Sequence, residues 1–145
     1  MYYHVMDICR YVVFYSNKKN YGISNLRLQK ILYFIQAYFL RIKKQPCFQE
    51  QIEAWDFGPV VPTAYHFYKK FGAGEIPDYR DPQTVFLAKN DQKIINGVID
   101  LLSKYTTTQL VSMTHRQYPW KKNYEPYANH TISIEDIERF ANGRK

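Results

Sequence analysis

The sequence predicts a mainly α-helical, compact single domain over residues 1–145, with about five to six helices and a small two-stranded β element. Three observations predict this class. Apolar residues recur every three to four positions through several runs, which is the period of an amphipathic helix. Only two short stretches, residues 52–55 and 84–87, are typical of strands. A length of 145 residues with 46% apolar content suits one hydrophobic core.

The first two helices follow from apolar spacing between start and stop signals. A helix is predicted over residues 2–18, ended by the turn at Gly22. Ser24 is the expected N-cap of the second helix. The broad apolar face of that helix consists of Leu28, Ile31, Leu32, Ile35, Phe39 and Ile42, widened by Tyr33, Tyr38 and Leu40. We therefore expect the second helix near the centre of the core.

The next segment predicts a strand, a turn and a short helix. Residues 52–55 alternate in polarity and form the first strand. Gly58-Pro59 supplies the turn, because glycine permits unusual backbone angles and proline disfavours a helical residue before it. Pro62 fits the first turn of a helix that ends at Gly72. The strand at residues 84–87 would pair with the first strand, and the pair would need packing against helices to be stable.

Three more helices are predicted in the C-terminal half. Asn90 or Asp91 caps a helix that runs to Leu102. Residues 106–108 cap a short helix ended by Pro119. Ser133, followed three residues later by an aspartate, resembles a capping box and opens the last helix.

Composition excludes several classes of protein. The longest apolar run, residues 31–42, is interrupted by Gln36 and is too short for a membrane span of roughly 20 residues. Two cysteines are too few for a disulfide framework or a four-thiolate zinc site. The first residues lack the pattern of a secretion signal. We therefore expect a cytoplasmic protein that does not bind membranes.

The net charge of +7 at pH 7 raises the question of whether the protein binds nucleic acid. Six of the positive charges form three doublets at predicted helix ends, namely Lys18 with Lys19, Lys43 with Lys44, and Lys69 with Lys70. Cations at these positions complement exposed carbonyls and the negative end of the helix dipole. Convergence of the doublets on one face would instead create a basic contact surface. The chain would then be an autoregulator that binds its own operator, which is the alternative hypothesis.

The search for catalytic chemistry leaves one enzymatic alternative. The histidines and cysteines have no short-range metal-ligand spacing, and the glycines of residues 72–74 lack the lysine and hydroxyl of a phosphate-binding loop. We expect no metal, no cofactor and no enzymatic activity. A small hydrolase or transferase centred on His115, with Trp120 and Glu53, would require His115 to be exposed and paired with a carboxylate or thiol.

The aromatic content points to binding. Phe, Trp and Tyr make up 17% of the chain, and 14 residues are tyrosine. Tyrosine offers a large contact area with a water-tolerant hydroxyl, and Trp, Tyr and Arg dominate binding hot spots. We assign about half of the tyrosines to the core because they fall on or beside predicted buried faces.

Three separated segments then identify a family: LRLQKILYFIQAYFL from Leu26, IEAWDFGPVVPTAYHFY from Ile52 and THRQYPW from Thr114. Together they resemble the Panacea domain, the family of SocA-like antitoxins and phage-associated proteins. The residues that carry the resemblance are Gly58, Pro59 and Val60 with Trp55 and Tyr65; His115 with Pro119 and Trp120; and Leu28, Gln29 and Lys30 with Tyr33. The loop from Gly72 to Gln83 departs from the family's pattern.

The resemblance implies a compact helical fold and the role of antitoxin in a two-gene toxin–antitoxin pair. The implied partner is a cognate protein toxin, neutralised by direct contact. A bacterial AAA+ protease, to which a SocA-type member hands its toxin, is implied as a second partner. We expect Glu53 to Phe71 to form a fold-defining corner in which Trp55 and Tyr65 flank a groove, with specificity for the toxin determined elsewhere.

Overall fold

The computed structural model describes residues 2–77 and 86–143. Within these residues the chain forms seven α-helices, one 3-10 turn and a three-stranded antiparallel sheet. The helices are α1 (Val5–Lys18), α2 (Asn25–Lys43), α3 (Pro62–Tyr68), α4 (Lys89–Leu102), α5 (Thr107–His115), α6 (Tyr118–Asn123) and α7 (Ile134–Ala141). The strands are β1 (Ile52–Trp55), β2 (Gly58–Val60) and β3 (Thr131–Ile132), and the 3-10 turn is Lys69–Phe71. The predicted mainly helical class with a small β element is confirmed.

Helix α2 lies at the centre of the core, as predicted. It packs against α1, α3, α4, α5, α7 and β2. The Oγ of Ser24 accepts a hydrogen bond from the backbone N–H of Arg27 at 3.2 Å, so the predicted N-cap is present. The predicted apolar face is buried except for Ile42, which is 57% exposed, and Tyr38, which is partly buried. Ile42 lies in the last turn, just before Lys44 ends the helix with left-handed backbone angles.

Helices α1 and α4 run alongside α2 in the opposite direction. The N–H of Tyr3 donates to the carbonyl of Cys47 at 2.9 Å, so the start of α1 meets the chain beyond the end of α2. The hydroxyl of Tyr11 donates to Asn96 at 2.7 Å, and that of Tyr15 donates to the Asp100 carboxylate at 2.9 Å. These bonds hold α4 parallel to α1.

The N-cap of α4 differs from the prediction. Ala88, not Asn90 or Asp91, occupies the N-cap position, and no side chain caps the helix. The Asp91 carboxylate is engaged elsewhere, since it accepts from the hydroxyl of Tyr3 at 2.5 Å and from Lys43 Nζ at 2.6 Å. A tertiary contact has therefore taken the place of a local cap.

The sheet has the order β2-β1-β3. Strand β1 occupies the predicted residues, but its partners are residues 58–60 and 131–132, so the predicted pairing with residues 84–87 is wrong. Residues 84 and 85 of that segment lie outside the described residues, and 86 and 87 are not in a strand. The turn also differs: it falls at Asp56 and Phe57, and Gly58 begins β2 with a φ of 105°.

The C-terminal helices confirm two predicted caps and correct one boundary. Thr106 and Gln109 form a reciprocal capping box at the start of α5. Ser133 Oγ accepts from the N–H of Asp136 at 3.1 Å and caps α7. Pro119 does not end a helix but lies in the first turn of α6, where a proline sacrifices no intrahelical hydrogen bond.

One hydrophobic core joins residues from all the long helices. Cys9 and Cys47 are free thiols within this core, and burial raises the pKa of both. In the described part of the chain no helix combines the length and apolar character that crossing a bilayer requires.

Candidate functional site

The hairpin of β1 and β2, residues 52–60, is held by side chains of α2, α5 and α6, and we call this assembly the hairpin site. At its centre Gly58 has a φ of 105°, a backbone conformation that other residues rarely adopt. A Cβ atom on Gly58 would lie 2.6 Å from Thr114 Oγ1 and 2.7 Å from Lys30 Cε. Both the backbone angle and the close approach of two side chains therefore require glycine.

Helix α2 holds β2 through two buried polar side chains. Lys30 is fully buried, and its Nζ donates to the carbonyl of Pro59 at 2.6 Å. Burial away from water lowers the pKa of Lys30 to about 7, because desolvation disfavours the charged form. Gln29 Oε1 accepts from the N–H of Val61 at 2.9 Å, and its Nε2 donates to Asn25 Oδ1 at 2.9 Å. The two residues satisfy backbone groups on either side of Val60.

Tyr33 connects α2 with the segment between α5 and α6. It is fully buried, and its hydroxyl donates to Gln117 Oε1 at 2.8 Å. Burial raises the pKa of Tyr33, so the hydroxyl keeps its proton and remains a donor. The bond fixes the position from which α6 begins.

The turn of the hairpin is held by an aromatic cluster from α5, α6 and the residue that follows α6. The Trp120 ring lies 4.2 Å from the His115 ring and 4.4 Å from the Tyr124 ring, measured between centroids. Trp120 Nε1 donates to the carbonyl of Trp55 at 2.8 Å. His115 Nε2 lies 2.8 Å from the carbonyl of Asp56, which can only accept, so this nitrogen carries the proton. Tyr124 donates to the Asp56 carboxylate, and that bond raises the pKa of Tyr124.

Trp55 and Tyr65 lie beside a small groove of about 390 Å³. Their rings meet edge to face with centroids 4.9 Å apart, and Trp55 Nε1 donates to Glu53 Oε1 at 2.9 Å. Phe57, at the hairpin turn, is 64% exposed along this groove, and Tyr127 is fully exposed. The structure thus places the two motif rings in contact with each other and along one groove.

The structure brings most of the motif residues together. Ten of them belong to the hairpin site or to its immediate supports, namely Gln29, Lys30, Tyr33, Trp55, Gly58, Pro59, Val60, Tyr65, His115 and Trp120. Leu28 is a buried core residue of α2, and Pro119 is a buried residue in the first turn of α6. A contribution of any of these motif residues to partner binding remains a prediction.

The lysine doublets are distributed over different ends of the fold. Because α1 and α2 are antiparallel, Lys18 and Lys19 lie at the opposite end of this helix pair from Lys43 and Lys44. Lys69 and Lys70 form part of the 3-10 turn. Lys43 is paired with Asp91, and Lys70 Nζ lies 4.4 Å from the centre of the Phe67 ring. The proposed basic surface is therefore divided between at least two regions.

Four residues of the site were not singled out from the sequence: Thr114, Gln117, Tyr124 and Asp56. The first two lie within the quoted segment THRQYPW, so the motif contained a signal for them. Tyr124 follows Trp120 by four residues, the spacing of neighbours on a helix face. Asp56 has its role because it lies in the hairpin turn. The sequence analysis predicted that turn two residues later, at Gly58-Pro59.

Two comparisons with known proteins find similarity, and a third finds none. A family model described as antitoxin SocA-like, Panacea domain, matches residues 28–121. Antitoxin SocA from Caulobacter vibrioides (strain NA1000 / CB15N) is 33% identical over 109 residues, which are 68% of this chain and 58% of that protein. The match thus spans somewhat more than half the length of this relative. No solved structure matches the chain.

Proposed function

The chain belongs to the family of SocA-like antitoxins with a Panacea domain, and we propose that it is the antitoxin of a two-gene toxin–antitoxin pair. In this proposal it binds a cognate protein toxin directly, in the cytoplasm, and neutralises it by sequestration. The relative named antitoxin SocA supports the assignment. All of the motif residues that indicated the family lie within the matched range 28–121.

The observation that carries the proposal is the use of the polar groups in the hairpin site. Lys30 and His115 each bond to a main-chain carbonyl, Glu53 accepts from Trp55, and Gln29 bonds to a main-chain amide. The bonds of Lys30, Gln29 and His115, together with the bond from Trp120 of α6 to the carbonyl of Trp55, fix the hairpin against three helices. Such a site holds a rigid surface in place, and a rigid surface loses little conformational entropy when a partner binds. We therefore assign the buried motif residues a scaffolding role.

The geometry weighs against the enzymatic alternative. A general acid or base must reach a substrate proton, and it is oriented by a second polar side chain. The His115 Nε2 atom faces the carbonyl of Asp56, and the His115 ring packs against Trp120 with the two ring planes tilted by 32°. The Glu53 carboxylate that the enzymatic hypothesis invoked is bonded to Trp55 instead.

The geometry also weighs against the operator-binding alternative. A nucleic-acid surface needs its cations on one face, so that several phosphates are neutralised together. The Lys18 and Lys43 doublets lie at opposite ends of the α1 and α2 pair, and Lys43 is already paired with Asp91. The charge of +7 is better explained by helix ends and by a surface that favours acidic proteins.

Delivery of the bound toxin to a bacterial AAA+ protease is a second step that the proposal includes. Sequestration and delivery predict different fates for the toxin. Sequestration leaves the toxin at its full amount in a stable complex, whereas delivery lowers the amount of toxin while the antitoxin persists.

The experiment that tests the proposal is co-expression with the product of the adjacent gene. We expect that product to stop growth when it is expressed alone and growth to recover when this chain is present. Recovery in a host without its AAA+ proteases indicates sequestration, and recovery only in a host that has them indicates delivery. No recovery in either host, with both proteins present in the soluble fraction, would contradict the proposal.

A further inference from the structure

A second groove of the described residues lies between α2, α4, α5 and α7, and we call it the α2–α7 groove. Of the residues named for the hairpin site, Gln117 also lines this groove. The volume of the groove is about 680 Å³, within the range of pockets that hold ligands or side-chain anchors. Phe34, Ala37 and Leu102 form an apolar floor that is almost fully buried. Leu101 and Tyr105 form an exposed apolar rim, at 40% and 38% exposure. None of the twelve residues that carry the family resemblance lines this groove, although other residues of the quoted segments do, namely Phe34, Ala37, Tyr38 and Gln117.

The charged side chains that line the α2–α7 groove are all positive among the described residues. Among its described lining residues the charged side chains are Arg41 and Lys44, both exposed and both at the C-terminal end of α2. Lys44 Nζ lies 3.4 Å from Asn142 Oδ1, so this amine points along the edge of the groove. No aspartate or glutamate is among the described lining residues. The groove is therefore apolar along its floor and positive at one end.

We propose that the α2–α7 groove docks a segment of the toxin that combines apolar side chains with carboxylates at one end, as one face of an acidic amphipathic helix does. This inference rests on the proposed function and specifies the contact surface that the function requires. The apolar floor and rim would bury the hydrophobic side chains, and Arg41 and Lys44 would meet the carboxylates. Binding of an amphipathic helix in an apolar groove is a common mode of peptide recognition.

Charge and shape favour this occupant over two others. A second copy of this chain would bring a net charge of +7 toward two cations, which opposes self-association. A nucleic acid would meet only two cations and would place phosphates over an apolar floor, where they lose hydration without gaining partners. An apolar segment with carboxylates matches both the floor and the positive end.

One wall of the groove comes from the end of α7, which lies outside the residues that the family model matches. Phe140 and Ala141 of α7 line the groove, whereas the family match ends at residue 121. Met113 of α5 also lines the groove, and flexible methionine side chains adapt to different apolar partners. The groove thus combines a shared scaffold with a wall from outside the matched range, which suits a surface that selects one particular toxin.

The first test reverses charge in the groove and, as a matched control, elsewhere. The Arg41→Glu/Lys44→Glu variant and the Lys18→Glu/Lys19→Glu variant change the net charge by the same amount at opposite ends of the α1 and α2 pair. Affinity for the purified product of the adjacent gene is measured by calorimetry, with thermal melts to verify folding. We expect the groove variant to lose at least about tenfold in affinity and the control to stay within about twofold. Equal losses, or no loss in the groove variant, would overturn the proposal.

The second test concerns the apolar rim. Leu101→Ser/Tyr105→Ser removes exposed apolar area at the α2–α7 groove, and Phe57→Ser/Tyr127→Ser removes it at the small groove beside Trp55. All four side chains are exposed, so both variants are expected to fold. We expect only the first to weaken the complex. Loss of binding in the second variant alone would assign the contact to the small groove and contradict the inference.

A third test separates failure of the groove from failure of the proposed function. If the parent chain forms no complex with the adjacent gene product, a library of displayed random peptides is selected on the intact chain. Enrichment of sequences with apolar residues and Asp or Glu, whose binding is lost in Arg41→Glu/Lys44→Glu, would support the groove even though the toxin assignment had failed. No enrichment, or enrichment of basic sequences, would overturn it.

Discussion

Lys30 places an ionisable side chain inside the core, where its amine contacts the carbonyl of Pro59. The folded chain binds this proton less tightly than the unfolded chain, because burial lowers the pKa from an ordinary 10.5 to about 7. Below pH 7 both states are protonated and the folded state bears the full cost of burying the charge. Between pH 7 and 10.5 only the unfolded chain holds the proton, so this cost falls as the pH rises.

The substitution Lys30→Met tests that linkage. We expect the difference in unfolding free energy between this variant and the parent to change with pH between 7 and 9, in favour of the parent, by up to about 1.4 kcal/mol per pH unit. The tyrosines and thiols with raised pKa values are common to both proteins and cancel in the difference. Lys93→Met, at an exposed position of α4, serves as the control. Denaturant unfolding at several pH values gives the result, and parallel curves for parent and Lys30→Met would refute the account.

Gly58 supports a second prediction at the residue scale. Alanine at this position must adopt a φ of 105° and place its Cβ within 2.7 Å of both Thr114 and Lys30. We expect Gly58→Ala to lower the free energy of unfolding by on the order of 3 kcal/mol, from backbone strain and overpacking together. Gly97→Ala is the matched control, because Gly97 is in α4 and has no atom within 4 Å of the added Cβ. That control should gain stability of about 0.5–1 kcal/mol. Thermal unfolding compares the two, and an unchanged melting temperature for Gly58→Ala would contradict the packing described.

At the scale of elements, the position of His115 depends on how α5 begins. Thr106 Oγ1 accepts from the N–H of Gln109 at 3.1 Å, and Gln109 Oε1 accepts from the N–H of Thr106 at 2.8 Å. We expect Thr106→Ala to cost about 1 kcal/mol of stability, because one backbone donor of a short helix loses its partner. Thr108→Ala makes the same chemical change at an exposed position within α5. Equal melting temperatures for the two variants would show that the cap contributes nothing.

Elements with strong local signals were predictable, and those that depend on distant partners were not. Ser24 and Thr106 cap helices through their own neighbours in sequence, so the pattern was sufficient. Asp91 was expected to cap α4, but its carboxylate is held by Tyr3 and Lys43 from other parts of the chain. Strand β3 has two residues and follows β1 by more than seventy positions. No local alternation could have identified it.

The same limit applies to the prediction of functional residues, as the hairpin site shows. The family resemblance selected Lys30, Trp55 and His115, and the structure brings them to one hairpin. Residues that support them, such as Gln117, become recognisable only when Tyr33 is seen to donate to its side chain. The α2–α7 groove could not be predicted, because its walls come from four helices that are distant in sequence.

At the scale of the whole molecule, the fold separates scaffold from surface. The polar groups of the hairpin site bond within the protein, whereas the α2–α7 groove leaves two apolar side chains and two cations exposed. An antitoxin that acts by sequestration requires both properties, a rigid framework and an unoccupied complementary surface.

The most direct measurement is affinity purification of the tagged chain from its native host, followed by mass spectrometry and ultraviolet absorbance of the eluate. We predict one small protein at equal stoichiometry that arrests growth when expressed alone, with an absorbance spectrum typical of protein. An eluate that contains nucleic acid and no stoichiometric protein would contradict the claim that this chain neutralises a toxin by direct binding.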